Sequence, residues 1–328
     1  MHRLPRFVRS SGAPKPRVLL VDDHPGVLDG VSALLDDDFD VAGLATGGRQ
    51  ALDLAGQIDP DVIVLDINMP GLDGFQTKRA LEQAGSRAPV VFLSAVDTDD
   101  FVSEAFQCGG RGYIPKLRLA RNLVSAIDQV LLGRLFVPSL TSLSELANDG
   151  GHAMQVHGDM ECFLDGLAAF FNLALRRGDA TCVIGTEEVR EGLGRRLRAA
   201  GWDVGGPSWH RRYLSIDTAD ALGRFMRNGV PDAGVIADIA SELDQYRRDV
   251  CEGGSSRLTI FGNMVVPLIA DGNSAAAIAL ESHWSRLTHA LPFLTLCGYP
   301  ASCFHACGPE VWSNACHQHW AVSHANDV

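Results

Sequence analysis

The 328-residue chain has no apolar run of the roughly 18–20 residues that a bilayer-crossing helix needs, which argues against a membrane span. Its opening, Met1-His-Arg-Leu-Pro-Arg-Phe-Val-Arg-Ser, is basic but has no apolar core segment, so it does not read as a secretory signal. Basic residues are scarce: 28 Lys and Arg face 40 Asp and Glu, for a net charge of −12. The deficit is even, with 14 basic and 19 acidic residues over 1–145 and 14 and 21 beyond. Neither half offers the broad basic face that non-specific nucleic-acid binding uses, which disfavours nucleic acid as a partner. No Gly-rich phosphate loop ending in Lys-Ser/Thr is present. The loop Gly185-Thr-Glu-Glu-Val-Arg-Glu-Gly192 opens a helix with Glu187 and Glu188, which suit the helix dipole and repel phosphate. The chain is therefore not expected to be an NTPase. Eight cysteines without an export signal are expected to stay reduced, and the localisation expected is cytoplasmic.

A composition 46% hydrophobic and 21% charged supports a packed core, and the length fits roughly two domains. Residues 1–16, with Pro5, Gly12, Pro14 and Pro16, read as a flexible leader. Continuous apolar runs at 18–21, 41–45, 62–65 and 90–93, with a shorter one at 112–114, are those of strands buried on both faces. Helical patterns fall between and after them, at 25–35, 47–55, 74–84, 98–108 and 119–132. Five strand–helix alternations predict a parallel sheet with helices on both sides over 17–138. The polar, Gly-terminated stretch 139–151 reads as a linker, with or without a short helix. Beyond it, helices are predicted at 160–177, 187–200, 219–228, 233–250 and 274–289, and strands at 181–184, 213–216, 258–261 and 293–297. This second domain, 152–324, is also α/β.

Ligands of open parallel sheets sit beyond the carboxyl ends of the strands. Asp22 and Asp23 lie at the end of the first predicted strand, Asp66 and Asn68 at the third, Ser94 at the fourth and Lys116 after the fifth. One such Asp is ordinary turn or N-cap chemistry. Three carboxylates converging on one sheet end repel each other unless a hard divalent cation such as Mg2+ offsets them. A metal, an ammonium and a hydroxyl around one carboxylate suit phosphoryl transfer to it.

Over 17–138 this constellation resembles the receiver domain of two-component response regulators. The wording Val-Asp-Asp-His-Pro and Gly-Tyr-Ile-Pro-Lys is similar to the subfamily often joined to helix-turn-helix outputs. The resemblance implies a flavodoxin-like (βα)5 fold with Asp66 as phosphoacceptor. Asp22, Asp23, Asp66 and the Asn68 backbone carbonyl would hold Mg2+. Ser94 and Lys116 would contact the phosphoryl group, and Tyr113 would be the switch aromatic. A sensor histidine kinase is the partner implied, docking near 24–35, and a homodimer through the strand-four/strand-five side is the assembly expected. The chain departs from many receivers at Lys116, which Pro115 precedes and Leu117 follows.

Five stretches of the second domain carry another resemblance: His152-Ala-Met-Gln-Val-His-Gly-Asp159, Arg177-Gly-Asp-Ala-Thr-Cys-Val-Ile-Gly-Thr186, Arg257-Leu-Thr-Ile-Phe-Gly-Asn-Met-Val265, Ala279-Leu-Glu-Ser-His-Trp-Ser-Arg-Leu287 and Leu294-Thr-Leu-Cys-Gly-Tyr-Pro300. In this order they are similar to the MEDS domain, the methanogen/methylotroph DcmR sensory domain. The resemblance implies a degenerate RecA/KaiC-like fold and a sensory or output role toward a small-molecule ligand or a downstream protein. Asn263 stands where that family has an acidic residue. The tail adds Cys297, Cys303, Cys307 and Cys316 with His305, His317, His319 and His324, a soft donor set of the kind that binds zinc. Cys303, Cys307, Cys316 and His319 are the candidate thiol/metal cluster, while Cys297, inside a predicted strand, reads as core.

The function expected is that of a response regulator, not an enzyme, in which phosphorylation of Asp66 controls the second domain. The alternatives are a phosphorylation-dependent transcriptional regulator and a metal- or redox-responsive signalling switch. The basic segments 190–198 and 211–212 do not form a free recognition helix.

Overall fold

The computed structural model describes residues 14–147, 150–205, 212–251 and 257–324, excluding the side chains of 304–310. The expected leader lies almost wholly outside the described residues. The chain divides into two compact units between Pro138 and Ser139.

The first unit runs β1 (Arg17–Val21), α1 (Pro25–Leu35), β2 (Asp40–Ala45), α2 (Gly48–Ile58), β3 (Val62–Asp66), α3 (Gly74–Gln83), β4 (Val90–Ser94), α4 (Asp99–Gln107), β5 (Gly112–Pro115), a 3-10 turn (Lys116–Arg118), α5 (Leu119–Leu131) and β6 (Leu135–Val137). The strands pair in parallel in the order β2-β1-β3-β4-β5-β6. Alternate side chains of a strand point to opposite faces. Val18, Leu20, Val62 and Val64 therefore enter one core with α1 and α5. Leu19, Val21, Ile63 and Leu65 enter the other, with α2, α3 and α4. The apolar runs are continuous because both faces are covered. β6, which the sequence did not mark, pairs with β5 through Phe136.

The second unit comprises α6 (Leu140–Leu146), β7 (Gly151–His157), α7 (Met160–Arg177), β8 (Ala180–Gly185), α8 (Glu187–Ala199), β9 (Tyr213–Asp217), α9 (Thr218–Phe225), a hairpin of β10 (Met226–Arg227) and β11 (Val230–Pro231), α10 (Ala233–Val250), β12 (Leu258–Gly262), α11 (Val265–Ala270), α12 (Ser274–Ala290), β13 (Phe293–Pro300), α13 (Ser302–His317) and β14 (Ala321–His324). Its sheet is parallel, in the order β14-β7-β13-β12-β8-β9.

Two expectations need correction here. The stretch expected as a linker instead begins the second unit. Ser139 caps α6 by accepting from the Ser142 amide at 3.1 Å, and Leu140 and Leu143 are buried. Arg257 Nη2 donates to the Ser144 carbonyl and hydroxyl at 3.0 and 2.8 Å, while its Nε pairs with Asp179 at 3.1 Å. The helix expected to reach Asn228 stops at Phe225, where the chain turns into the hairpin; Asn228 adopts φ 51°.

Candidate functional site

Because β1, β3, β4 and β5 are parallel, their carboxyl ends share one edge. Val21 lies beside Leu65, Asp66 beside Leu93 and Ser94 beside Pro115. The residues just past these ends are therefore brought together. Lys116 Nζ lies 2.7 Å from Asp22 Oδ2 and 2.9 Å from Asp66 Oδ2. Both carboxylates are 2% exposed, so the ammonium bridges two buried anions. Asp22 Oδ1 accepts from the His24 amide at 2.9 Å, and Asp23 Oδ1 lies 2.8 Å from His24 Nδ1. Asp66 Oδ1 also accepts from the Asn68 amide at 3.4 Å.

The loop after Asp66 is shaped by Gly74. A Cβ there would stand 2.4 Å from the Asp66 carbonyl oxygen and 2.7 Å from Ile67 Cα. The Gly74 amide donates to the Ile67 carbonyl at 2.8 Å, and Asp73 caps α3 in a reciprocal box with Gln76. This turn fixes the loop that carries Asn68.

The electrostatics follow from crowding. Burial pushes the Asp66 carboxyl above its ordinary range and Asp22 adds to the shift; Lys116 opposes both without cancelling them. For Lys116, burial works against the charge, but hydrogen bonds to Asp22 and Asp66 prevail and hold its pKa up. Two carboxylates share one ammonium, and Asp23 lies beside Asp22, which leaves an excess of negative charge at an oxygen-rich edge. That donor set fits Mg2+, which takes oxygen ligands and retains waters. Asp22, Asp23, Asp66 and the Asn68 carbonyl are the residues available to hold it. Farther along the edge, Ser94 Oγ accepts from the Val96 amide at 3.0 Å, and the Tyr113 hydroxyl donates to the Val96 carbonyl at 2.6 Å. Both side chains are fully buried and engage the same residue.

The tail candidates are distributed differently from expectation. Cys316 points its thiol at the Met154 sulfur, 3.8 Å away, and Cys303 is buried. Neither belongs to a group of three or more donor atoms among the described residues. The Cys307 and His305 side chains lie outside the described residues. His319 instead meets His152, Glu281 and Cys297, with all four donor atoms within 4.8 Å of one another. Each of those three sits in one of the stretches singled out above. What the sequence could not show is that β7, α12 and β13 bring them together.

The loop after β7, the first strand of the second unit's sheet, has only Gly158 before Asp159, whose side chain caps α7 by accepting from the Cys162 amide at 2.7 Å. The Asn263 side chain accepts from the Thr218 hydroxyl at 2.9 Å.

A flavodoxin-like sheet with acidic residues and a lysine at its carboxyl edge defines a receiver. In agreement, the response regulator receiver domain model matches residues 18–128. The model of the MEDS domain, the methanogen/methylotroph, DcmR sensory domain, matches residues 151–319, about half of the chain, and the protein belongs to that family. The curated relatives match through the receiver region. The transcriptional regulatory protein MctR of Rhizobium johnstonii is 40% identical over 128 residues, 38% of this chain and 60% of MctR. The nitrate/nitrite response regulator NarL of Escherichia coli K12 is 35% identical over 120 residues, 36% of this chain and 56% of NarL. The chain thus spans a little over half the length of these relatives. Among solved structures, the signal receiver domain of the putative response regulator NarL from Mycobacterium tuberculosis is 35% identical. It is covered over its full length by 37% of this chain, with a TM-score of 0.36. No helix among the described residues is long and apolar enough to cross a membrane.

Proposed function

We propose that this protein is a two-component response regulator in which phosphorylation of Asp66 controls a MEDS output domain. The observation that carries the reading is the Lys116 bridge between Asp22 and Asp66. It sets beside Asp66 an ammonium able to hold the charge of a phosphoryl group, which supports Asp66 as the acceptor. A histidine kinase, reaching the edge beside α1, supplies the phosphoryl group. An Asp66 carboxylate oxygen forms the new bond to phosphorus as the bond to the donor imidazole breaks. Bound Mg2+ would neutralise charge on the phosphoryl oxygens. Lys116 would hold part of the same charge through its ammonium.

The added phosphoryl group brings about −1.5 to −2 charges to the edge. Ser94, at the end of the neighbouring strand, would bond it through its hydroxyl. Doing so takes its Oγ away from the Val96 amide, which loosens the residue that also holds the Tyr113 hydroxyl. The rearrangement is thus transmitted along β4 and β5, the side proposed for homodimerisation. A few charge-assisted bonds of roughly 1.5–3 kcal/mol each reach the 5.5 kcal/mol or so that inverts a 1:99 equilibrium.

For the second unit, an all-parallel sheet whose first strand, β7, lies between β13 and β14 supports a RecA/KaiC-like reading over the commoner doubly wound orders. The short acidic turn at Asp159 favours a sensory or partner-binding role over nucleotide hydrolysis. MctR and NarL match outside this unit, so their named roles do not extend to it.

Incubation with acetyl phosphate and Mg2+, followed by intact-mass measurement, tests the reading. The wild-type chain should gain one phosphoryl group and Asp66→Asn none. Equal labelling of the two would remove Asp66 from the role.

A further inference from the structure

The second unit holds a four-residue cluster that the phosphorylation switch does not use. His152 comes from β7, Glu281 from α12, Cys297 from β13 and His319 from the turn before β14. They are 1%, 1%, 6% and 3% exposed, respectively. His152 Nε2 lies 3.1 Å from Glu281 Oε2 and 3.2 Å from Cys297 Sγ. Cys297 Sγ and His319 Nε2 each lie 3.5 Å from the same Glu281 oxygen. We infer that His152, Glu281, Cys297 and His319 form a closed, tetrahedral site for a zinc-class divalent metal ion.

Three features point to a metal. The first is spacing. Zinc bonds of about 2.0–2.3 Å separate tetrahedral donors by roughly 3.3–3.8 Å, and the distances above fall in or near that window.

The second is how the imidazoles are held. His152 Nδ1 lies 3.0 Å from the Gln318 carbonyl and His319 Nδ1 lies 2.7 Å from the Ala315 carbonyl. Each carbonyl accepts a hydrogen bond from Nδ1–H, which leaves Nε2 of both rings turned toward Glu281. Such outer hydrogen bonds fix the tautomer of metal-bound histidines. The second Glu281 oxygen accepts from the Tyr299 hydroxyl, which leaves Oε2 as the single donor oxygen.

The third is charge. A carboxylate and a thiolate carry two negative charges, the imidazoles carry none, and a divalent ion brings the buried set to neutrality. Isolated buried charge is costly, and this donor set matches a borderline metal rather than Mg2+. Binding releases the Cys297 thiol proton, and any proton held on Nε2, to solvent.

Four protein ligands leave no open position, so the site is structural and ties α12 and the α13–β14 turn to the centre of the sheet. Cys297 and Glu281 also border a narrow apolar cleft with Ile260, Met264 and Trp284.

The full chain, purified under reducing conditions and stripped of metal, is titrated with Zn2+ and with Co2+ in excess Mg2+, which keeps the receiver edge filled. One equivalent should bind tightly, and the Co2+ form should show intense four-coordinate visible bands and a thiolate charge-transfer band. Cys297→Ser should lose the charge-transfer band, and Glu281→Gln should weaken affinity by at least about 100-fold, beyond the usual outer-ligand effect. Tyr299→Phe should cost about tenfold. No tight equivalent on the wild-type chain overturns the proposal whether or not the variants fold. An unchanged spectrum in Cys297→Ser overturns this ligand set. Phosphorylation of Asp66, read by mass in the same samples, reports separately on the receiver.

Discussion

At Asp66, the proposed role and stability oppose each other. The fold raises its pKa, chiefly through burial and secondarily through Asp22. A carboxyl raised in the folded state is stabilising only while protonated. Its penalty appears as pH rises above the unfolded value near 3.8 and is complete above the folded value. Asp66→Asn removes that penalty while leaving Lys116 its bond to Asp22. In metal-free buffer at pH 7.5, the variant should therefore melt a few degrees above the wild type, and the gap should close toward pH 4. Added Mg2+ should raise the wild type more than the variant. Melting curves at the two pH values, with and without Mg2+, check all three outcomes. A variant less stable at pH 7.5 without metal would show that the Lys116 bridge outweighs burial. These residues were legible in the sequence because each ends a strand marked by an apolar run, and a parallel sheet has one edge at which such ends meet. The buried quartet was not legible. Glu281 and Cys297 lie 16 residues apart but His152 is 145 residues from Cys297, and no local period encodes that meeting.

At the scale of elements, two positions carry more than their side chains suggest. Gly74 permits the backbone of α3 to touch the strand that ends in Asp66. Gly74→Ala should displace the Asp66–Asn68 loop, cost about 1–3 kcal/mol as overpacking, and slow acetyl-phosphate labelling in proportion to lost Mg2+ affinity. Urea titration and labelling time courses would show it; normal labelling at reduced stability would separate packing from site geometry. Arg257 plays the corresponding part in the second unit. Its burial depresses its pKa, yet Asp179 and the Ser144 and Ala147 oxygens retain the charge. Breaking one side of a buried pair costs about 3–5 kcal/mol, so Arg257→Ala should destabilise the second unit by that order and leave Asp66 labelling intact. Differential scanning calorimetry with mass readout distinguishes the two effects. Asp179 and Arg257 fall in two of the resemblance stretches, but only the coordinates assign them this joint.

At the scale of the whole molecule, the place where the units divide follows from what α6 buries. A polar, Gly-terminated stretch reads as a linker because local composition is all the sequence displays. β7 was missed for a related reason. His152, Gln155 and His157 interrupt its apolar pattern, although all three are buried. A strand with buried polar residues gives no clean period of two, and such residues need partners that only the fold supplies. α13 was hidden by the Gly308-Pro309 dipeptide, a local breaker signal that falls inside the helix Ser302–His317. The unit must therefore be cut before Ser139, since α6 packs on α7 and receives Arg257 and Arg177 at Ser144. Expressed alone, residues 139–328 should unfold cooperatively in urea. Residues 152–328, which lack α6 and leave Arg257 without its Ser144 and Ala147 acceptors, should aggregate or melt at least 10 °C lower, a drop of a few kcal/mol at roughly 2–4 °C per kcal/mol for a domain of this size. Equal stability of the two fragments would return 139–151 to the role of a linker.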